Sequence, residues 1–117
     1  MLNRERRMRR TREYQEVYLH GTKVFGRFVV VFLVRSDRPH NRYGVVASKK
    51  LGKAAQRNLW KRRMREIVRA LDARLEQGYD VVLLARASAR NADYAQLEKD
   101  LARALGRARL LRGQVLP

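Results

Sequence analysis

Residues 54–75 read AAQRNLWKRRMREIVRALDARL, and the spacing of their apolar members predicts one long helix. Trp60, Met64, Ile67, Val68, Leu71 and Leu75 recur three or four residues apart and form a single stripe. At about 100° per residue, Asn58, Arg62, Arg65, Glu66 and Arg69 fall opposite that stripe, with Lys61 and Arg63 at its flanks. Such a helix packs its apolar side on a sheet and turns a comb of guanidinium groups outward. A charged face of mixed sign is usually just solvated. Here Glu66 is the only acid on it. Like charges one turn apart repel by a few tenths of a kcal/mol per pair, a cost that a polyanion converts into affinity.

The segments upstream complete the pattern. Lys49, Lys50 and Lys53 lie on a tight link before the helix, where Gly52 allows close backbone approach. Cations beside the free amides of a helix start suit a phosphate. Tyr43–Ser48 reads as a strand and residues 36–41 as a turn-rich loop. Val24–Val34 reads as one strand, apolar on both faces and therefore central, pairing antiparallel with Tyr43–Ser48. Thr11 caps a short helix that carries Tyr14, Val17 and Tyr18 on one side and ends at Gly21. Residues 1–10 form a basic arm, expected to be frayed without a partner.

Downstream, Gly78 follows the long helix and Val81–Ala85 is a buried strand. A last helix starts near Asn91 or Asp93, with Leu97, Leu101 and Leu105 four residues apart. The order α-β-β-α-β-α describes an α/β (α+β) two-layer sandwich, a small sheet with helices packed on it, in one domain spanning residues 1–117.

Composition narrows the function. The 117 residues are 45% hydrophobic, enough for a core, yet hold 28 Lys+Arg against 11 Asp+Glu, a net charge of +17. Met1–Arg12 and Lys49–Arg69 supply 15 of those 28 cations. Nucleic acid is the polyanion that fits. The longest apolar run, Phe28–Val34, is far too short for a membrane span, and no apolar signal region follows the basic start, which argues against secretion. Cysteine is absent, which excludes thiolate nucleophiles and fits a cytoplasmic protein. His20 and His40 sit beside loop residues, Asp80 reads as a turn or cap residue, and the other acids are scattered. No pair of acids has the arrangement that two-metal phosphodiester cleavage needs, so no catalytic residue is assigned.

The run Ser48-Lys49-Lys50-Leu51-Gly52-Lys53-Ala54-Ala55-Gln56-Arg57-Asn58, continued by Lys61-Arg62 and Arg65-Glu66, resembles the signature of the bacterial ribonuclease P protein family. Residues 12–18 with Gly21 resemble the family's first helix, Gly78–Val82 with Ala85-Arg86 a main strand, and Tyr94–Leu105 the last helix. The resemblance implies a mixed sheet like that of ribosomal protein S5 domain 2, with a left-handed β-α-β crossover in place of the usual right-handed one. It also implies a protein subunit that assists a catalytic RNA in removing the 5′ leader of precursor tRNA. The alternative is a ribosomal or general RNA-binding module without a processing role.

Carried over by position, the family's Arg-Asn-Arg motif falls on Arg57, Asn58 and Leu59, whose third residue departs from the usual basic one and should be partly exposed. Lys53, Arg57, Asn58, Lys61, Arg62, Arg65 and Arg69 are the implied contacts to the catalytic RNA. Trp60 should pack on the sheet rather than stack on RNA. The family's leader cleft maps to Tyr14, Tyr18 and Phe32, with Phe28 one step along the same strand face and Lys49, Lys50 and Arg86 nearby. Those aromatics could equally be core, although two tyrosine hydroxyls suit a wet groove. The implied partners are the catalytic RNA and precursor tRNA, with neither a membrane nor a small-molecule substrate, and self-association without RNA is compatible with the sequence. Mg²⁺ would be held mainly by the RNA.

Overall fold

The long helix forms as α2 (Ala54–Leu71) in a computed structural model that describes residues 4–112. Trp60, Met64, Ile67 and Val68 are its buried residues, as the spacing requires. Trp60 is packed in the core, with the Arg63 guanidinium 4.8 Å above its ring. After Leu71 the chain tightens into a 3-10 turn, Asp72–Arg74, which delivers a fully buried Leu75 to Leu111.

The remaining elements are α1 (Thr11–His20), β1 (Thr22–Phe25), β2 (Val29–Arg35), β3 (Arg42–Ala47), β4 (Tyr79–Ala85) and α3 (Tyr94–Arg107). The sheet order is β1-β2-β4-β3, with β1/β2 and β2/β4 antiparallel and β3/β4 parallel. This is the expected mixed α+β architecture. Helices α2 and α3 cover one sheet face over Val29, Val31, Leu33, Val81 and Leu83. Helix α1 covers part of the other over Val30, Phe32 and Val82.

Two expectations fail. The strand read over residues 24–34 is two strands, β1 and β2, and β2 pairs with β4, so β3 never meets it. The break has a specific cause. Gly26 donates its N–H to the Val29 carbonyl at 2.7 Å. The carboxylate of Asp100, reaching down from α3, accepts the N–H groups of Arg27, Phe28 and Val29 at 2.8, 2.7 and 3.1 Å. The insertion of β4 follows from burial. Its Asp80–Leu83 run is buried on both faces, so β4 takes a central position and pushes β3 to the edge.

Asp100 is only 9% exposed and serves three amides at once. Asp100→Ala is expected to cost about 2 kcal/mol in a urea unfolding series, because buried amides lose charged acceptors. A cost near zero would mean that the turn forms without it.

Candidate nucleic-acid interface

The two basic segments meet at the β3 edge. Arg7 forms a bridge to Tyr43, and Met8, buried, donates its N–H to the Tyr43 carbonyl at 2.9 Å. Arg6 reaches Asp72 at 2.7 Å and Gln77 at 3.0 Å. Residues 6–8 of the arm thus lie along the edge strand, where they also cover some of its free hydrogen-bonding groups. Residues 1–3 lie outside the described residues.

Docking places arm and helix side by side. Arg7, Asn58, Arg62, Arg65 and Glu66 line one hollow of about 340 Å³. Arg4, Arg7, Met8, Arg9 and Arg65 line its neighbour. The Nε of Arg57 is buried without a hydrogen-bond partner, an unmet donor near the start of α2. Lys53, an exposed residue, stands at the start of α2, where its backbone N–H donates to the Gln56 side chain at 3.3 Å. Lys53, Arg57, Lys61 and Arg69 line neither hollow. Leu59 is half-buried, as its place off the stripe requires.

A second surface lies on the α1 side of the sheet. The Tyr14 ring rests on Gly44, where an added Cβ would stand 2.5 Å from it and push the ring off the sheet. Tyr18 meets Phe32 edge-on, with centroids 4.9 Å apart at 78°. Phe32 is buried, but Tyr18 is 42% exposed. Burial raises both tyrosine hydroxyls above their ordinary pKa, keeping them neutral donors. Further along this end of the domain, Ser48, Lys50, Leu84 and Arg86 line a hollow of about 440 Å³. Lys49 is exposed outside it.

Phe28 does not join this face. Shown 6% exposed, it packs in the α2/α3 core. The Gly26 turn resets the strand alternation, so Phe28 no longer shares a side with Phe32. In its place the sheet offers Lys23 and Phe25, which the sequence reading passed over. They alternate along β1, a period-two signal hidden by treating β1 and β2 as one strand.

Asp80 and Asp72 are structural. Asp80 is a buried partner of Arg42, contacted at 3.0 and 2.8 Å, rather than a turn or cap residue. Its place on β4 beside Arg42 of β3 sets the pair. Asp72 accepts from Tyr43 and Arg6 at 2.5 and 2.7 Å. Among the described residues, no three of His, Cys, Asp or Glu come together as metal ligands. Nor is any described helix long and apolar enough to cross a membrane.

The family model described as Ribonuclease P matches residues 2–109. The chain belongs to the ribonuclease P protein family. Ribonuclease P protein components from Syntrophomonas wolfei and Clostridium botulinum (strain Loch Maree) are each 37% identical to it. The first match covers 86% of this chain and 84% of the relative, the second 90% and 96%. The ribonuclease P protein of Staphylococcus aureus superposes with a TM-score of 0.86 at 29% identity, over 92% of this chain and 98% of that one. That of Thermotoga maritima gives 0.80 at 28% identity, over 86% and 96%. The ribonuclease P resemblance drawn from residues 12–21, 48–66, 78–86 and 94–105 is thus borne out over nearly the whole chain, and the role is that of a ribonuclease P protein component.

Proposed function

We propose that this chain serves tRNA 5′ processing by binding two RNAs on two surfaces: the catalytic RNA of ribonuclease P and the 5′ leader of precursor tRNA. The observation that carries this reading is the separation of two kinds of cationic surface. Along α2 and the arm, guanidinium groups line hollows without an exposed aromatic ring, a surface for phosphates held in a fixed RNA shape. On the α1 side, rings and cations alternate, a surface on which a flexible strand of any sequence can stack.

Arg57, Asn58, Arg62 and Arg65, with Lys53 at the helix start, take the catalytic RNA, and Lys61 and Arg69 extend the field around them. Tyr14, Tyr18 and Phe32, with Lys50 and Arg86, take the leader, and Lys49 adds charge at its margin. Neutralising phosphates on both RNAs lets them approach each other, which is this protein's part in the holoenzyme. Chemistry belongs to the RNA subunit, whose Mg²⁺ ions would activate the attacking water. Support for that division comes from the half-buried Asp72 and the buried Asp80 and Asp100, which are committed to protein donors. The cytoplasm, where precursor tRNA is made, is the proposed location.

Tyr18→Ala tests the leader surface. It should weaken holoenzyme binding of leader-bearing substrate about fivefold to tenfold and leave mature tRNA binding unchanged. Equal loss for both ligands would remove Tyr18 from the leader site.

A further inference from the structure

The β1 edge ends in an exposed ring. Phe25 is 55% exposed, and its partner across the ladder is Val30, as Phe32 is the partner of Lys23. Val30 and Phe32 both face α1, so Lys23 and Phe25 share that face. Lys23 Nζ stands 4.8 Å from the Phe25 centroid and 5.4 Å from that of Phe32, a cation between two rings. The Arg86 guanidinium lies 5.7 Å from the Phe25 ring, and Arg86 also lines the hollow beside Lys50.

The backbone here is braced on both sides. Arg107 of α3 donates to the Phe25 carbonyl, and Arg86 donates to that of Gly26 at 2.8 Å. Asp100, the acid nearest this turn, is consumed by three amides. What faces solvent is therefore an apolar ring among positive charges. A single exposed phenylalanine needs no explanation in itself. One held rigid, flanked by two cations and continuous through Lys23 with the Tyr18–Phe32 pair has the parts that single-strand binding uses: a stacking platform and phosphate partners on either side.

We infer that Phe25 is a further base-stacking platform for the single-stranded leader, at the β1 edge beyond Tyr18 and Phe32, with Lys23 and Arg86 taking the phosphates that flank the stacked nucleotide. The inference rests on the reading of the α1-side surface as the leader site, and it lengthens that site by at least one nucleotide. When a base covers the ring, the flexible Lys23 exchanges its ring contact for a phosphate.

The test uses holoenzyme reconstituted with a bacterial ribonuclease P RNA and precursor tRNAs whose leaders grow one nucleotide at a time. With the unaltered protein, affinity should rise in separate steps as the leader reaches each platform. Phe25→Ala should remove one step, about tenfold, while substrates too short to reach it bind unchanged. Phe25→Trp should keep that step, and Tyr18→Ala should remove a different one. Leader dependence that is lost in Tyr18→Ala but intact in Phe25→Ala overturns this inference alone. An equal loss at every leader length in Phe25→Ala also overturns it. No leader dependence in the unaltered protein overturns the leader reading, and this inference with it.

Discussion

Arg42→Ala is expected to lower the unfolding free energy by about 3–5 kcal/mol and the thermal midpoint by more than about 10 °C. Arg42 lies on β3, 9% exposed. Its Nε and Nη2 donate to the two oxygens of Asp80 on β4, at 3.0 and 2.8 Å. Its Nη1 is paired with Glu13 of α1. Glu13 in turn accepts the N–H groups of Arg9 and Arg10 at 3.2 and 2.9 Å. One guanidinium thus ties β3, β4, α1 and the arm together. Its loss strands two carboxylates in a poorly solvated site, where removing one member of a buried pair costs most.

The same cluster sets an acid dependence. Burial alone would raise the Glu13 carboxyl, but the Arg10 and Arg9 amides and the Arg42 guanidinium outweigh it and hold it below its ordinary value. A carboxyl depressed in the folded state contributes stability above its unfolded pKa and loses it as pH falls through the folded one. Acidification through the carboxylate range should therefore weaken the unaltered protein more steeply than Arg42→Ala. Urea unfolding at neutral and acid pH measures both effects. A cost below about 1 kcal/mol at neutral pH would place the cluster among ordinary solvated ion pairs.

The double variant Arg62→Ala, Arg65→Ala should lose about 100-fold in affinity for the catalytic RNA at moderate salt. The slope of log affinity against log salt should flatten by about 1.5, since two fewer phosphates are neutralised. Both residues line the hollow shared with Arg7 and Asn58, where cations converge from two segments. Stability should barely change or should rise slightly, because the substitutions relieve repulsion along α2. Binding titrations over a salt series, with a thermal melt of each protein, separate the two effects. A loss of affinity with an unchanged salt slope would mean that these arginines act through the fold instead of on phosphates.

What the sequence made legible follows from periodicity. The α2 stripe and its cationic face are a local pattern, so Trp60, Met64, Ile67 and Val68 were placed correctly from spacing alone. Misreadings arose wherever a distant residue decided the local structure. Asp100 sits more than 70 positions from the turn that it stabilises, so within residues 24–34 only Gly26 marks the break that sends Phe28 into the main core. The docking of the arm depends on Arg6 finding Asp72, and the role of Asp80 depends on Arg42 of the neighbouring strand. Both are tertiary pairings with no periodic signature. The charge pattern pointed to a polyanion such as nucleic acid, but only the fold joins residues 4–9 to α2 and sets Lys23 and Phe25 beside Phe32.

The most direct measurement is precursor-tRNA cleavage by a bacterial ribonuclease P RNA at low Mg²⁺, with and without this protein. Cleavage at the mature 5′ end only when both are present is the expected result. Tight RNA binding without any stimulation of cleavage would contradict the subunit role and leave a general RNA-binding module.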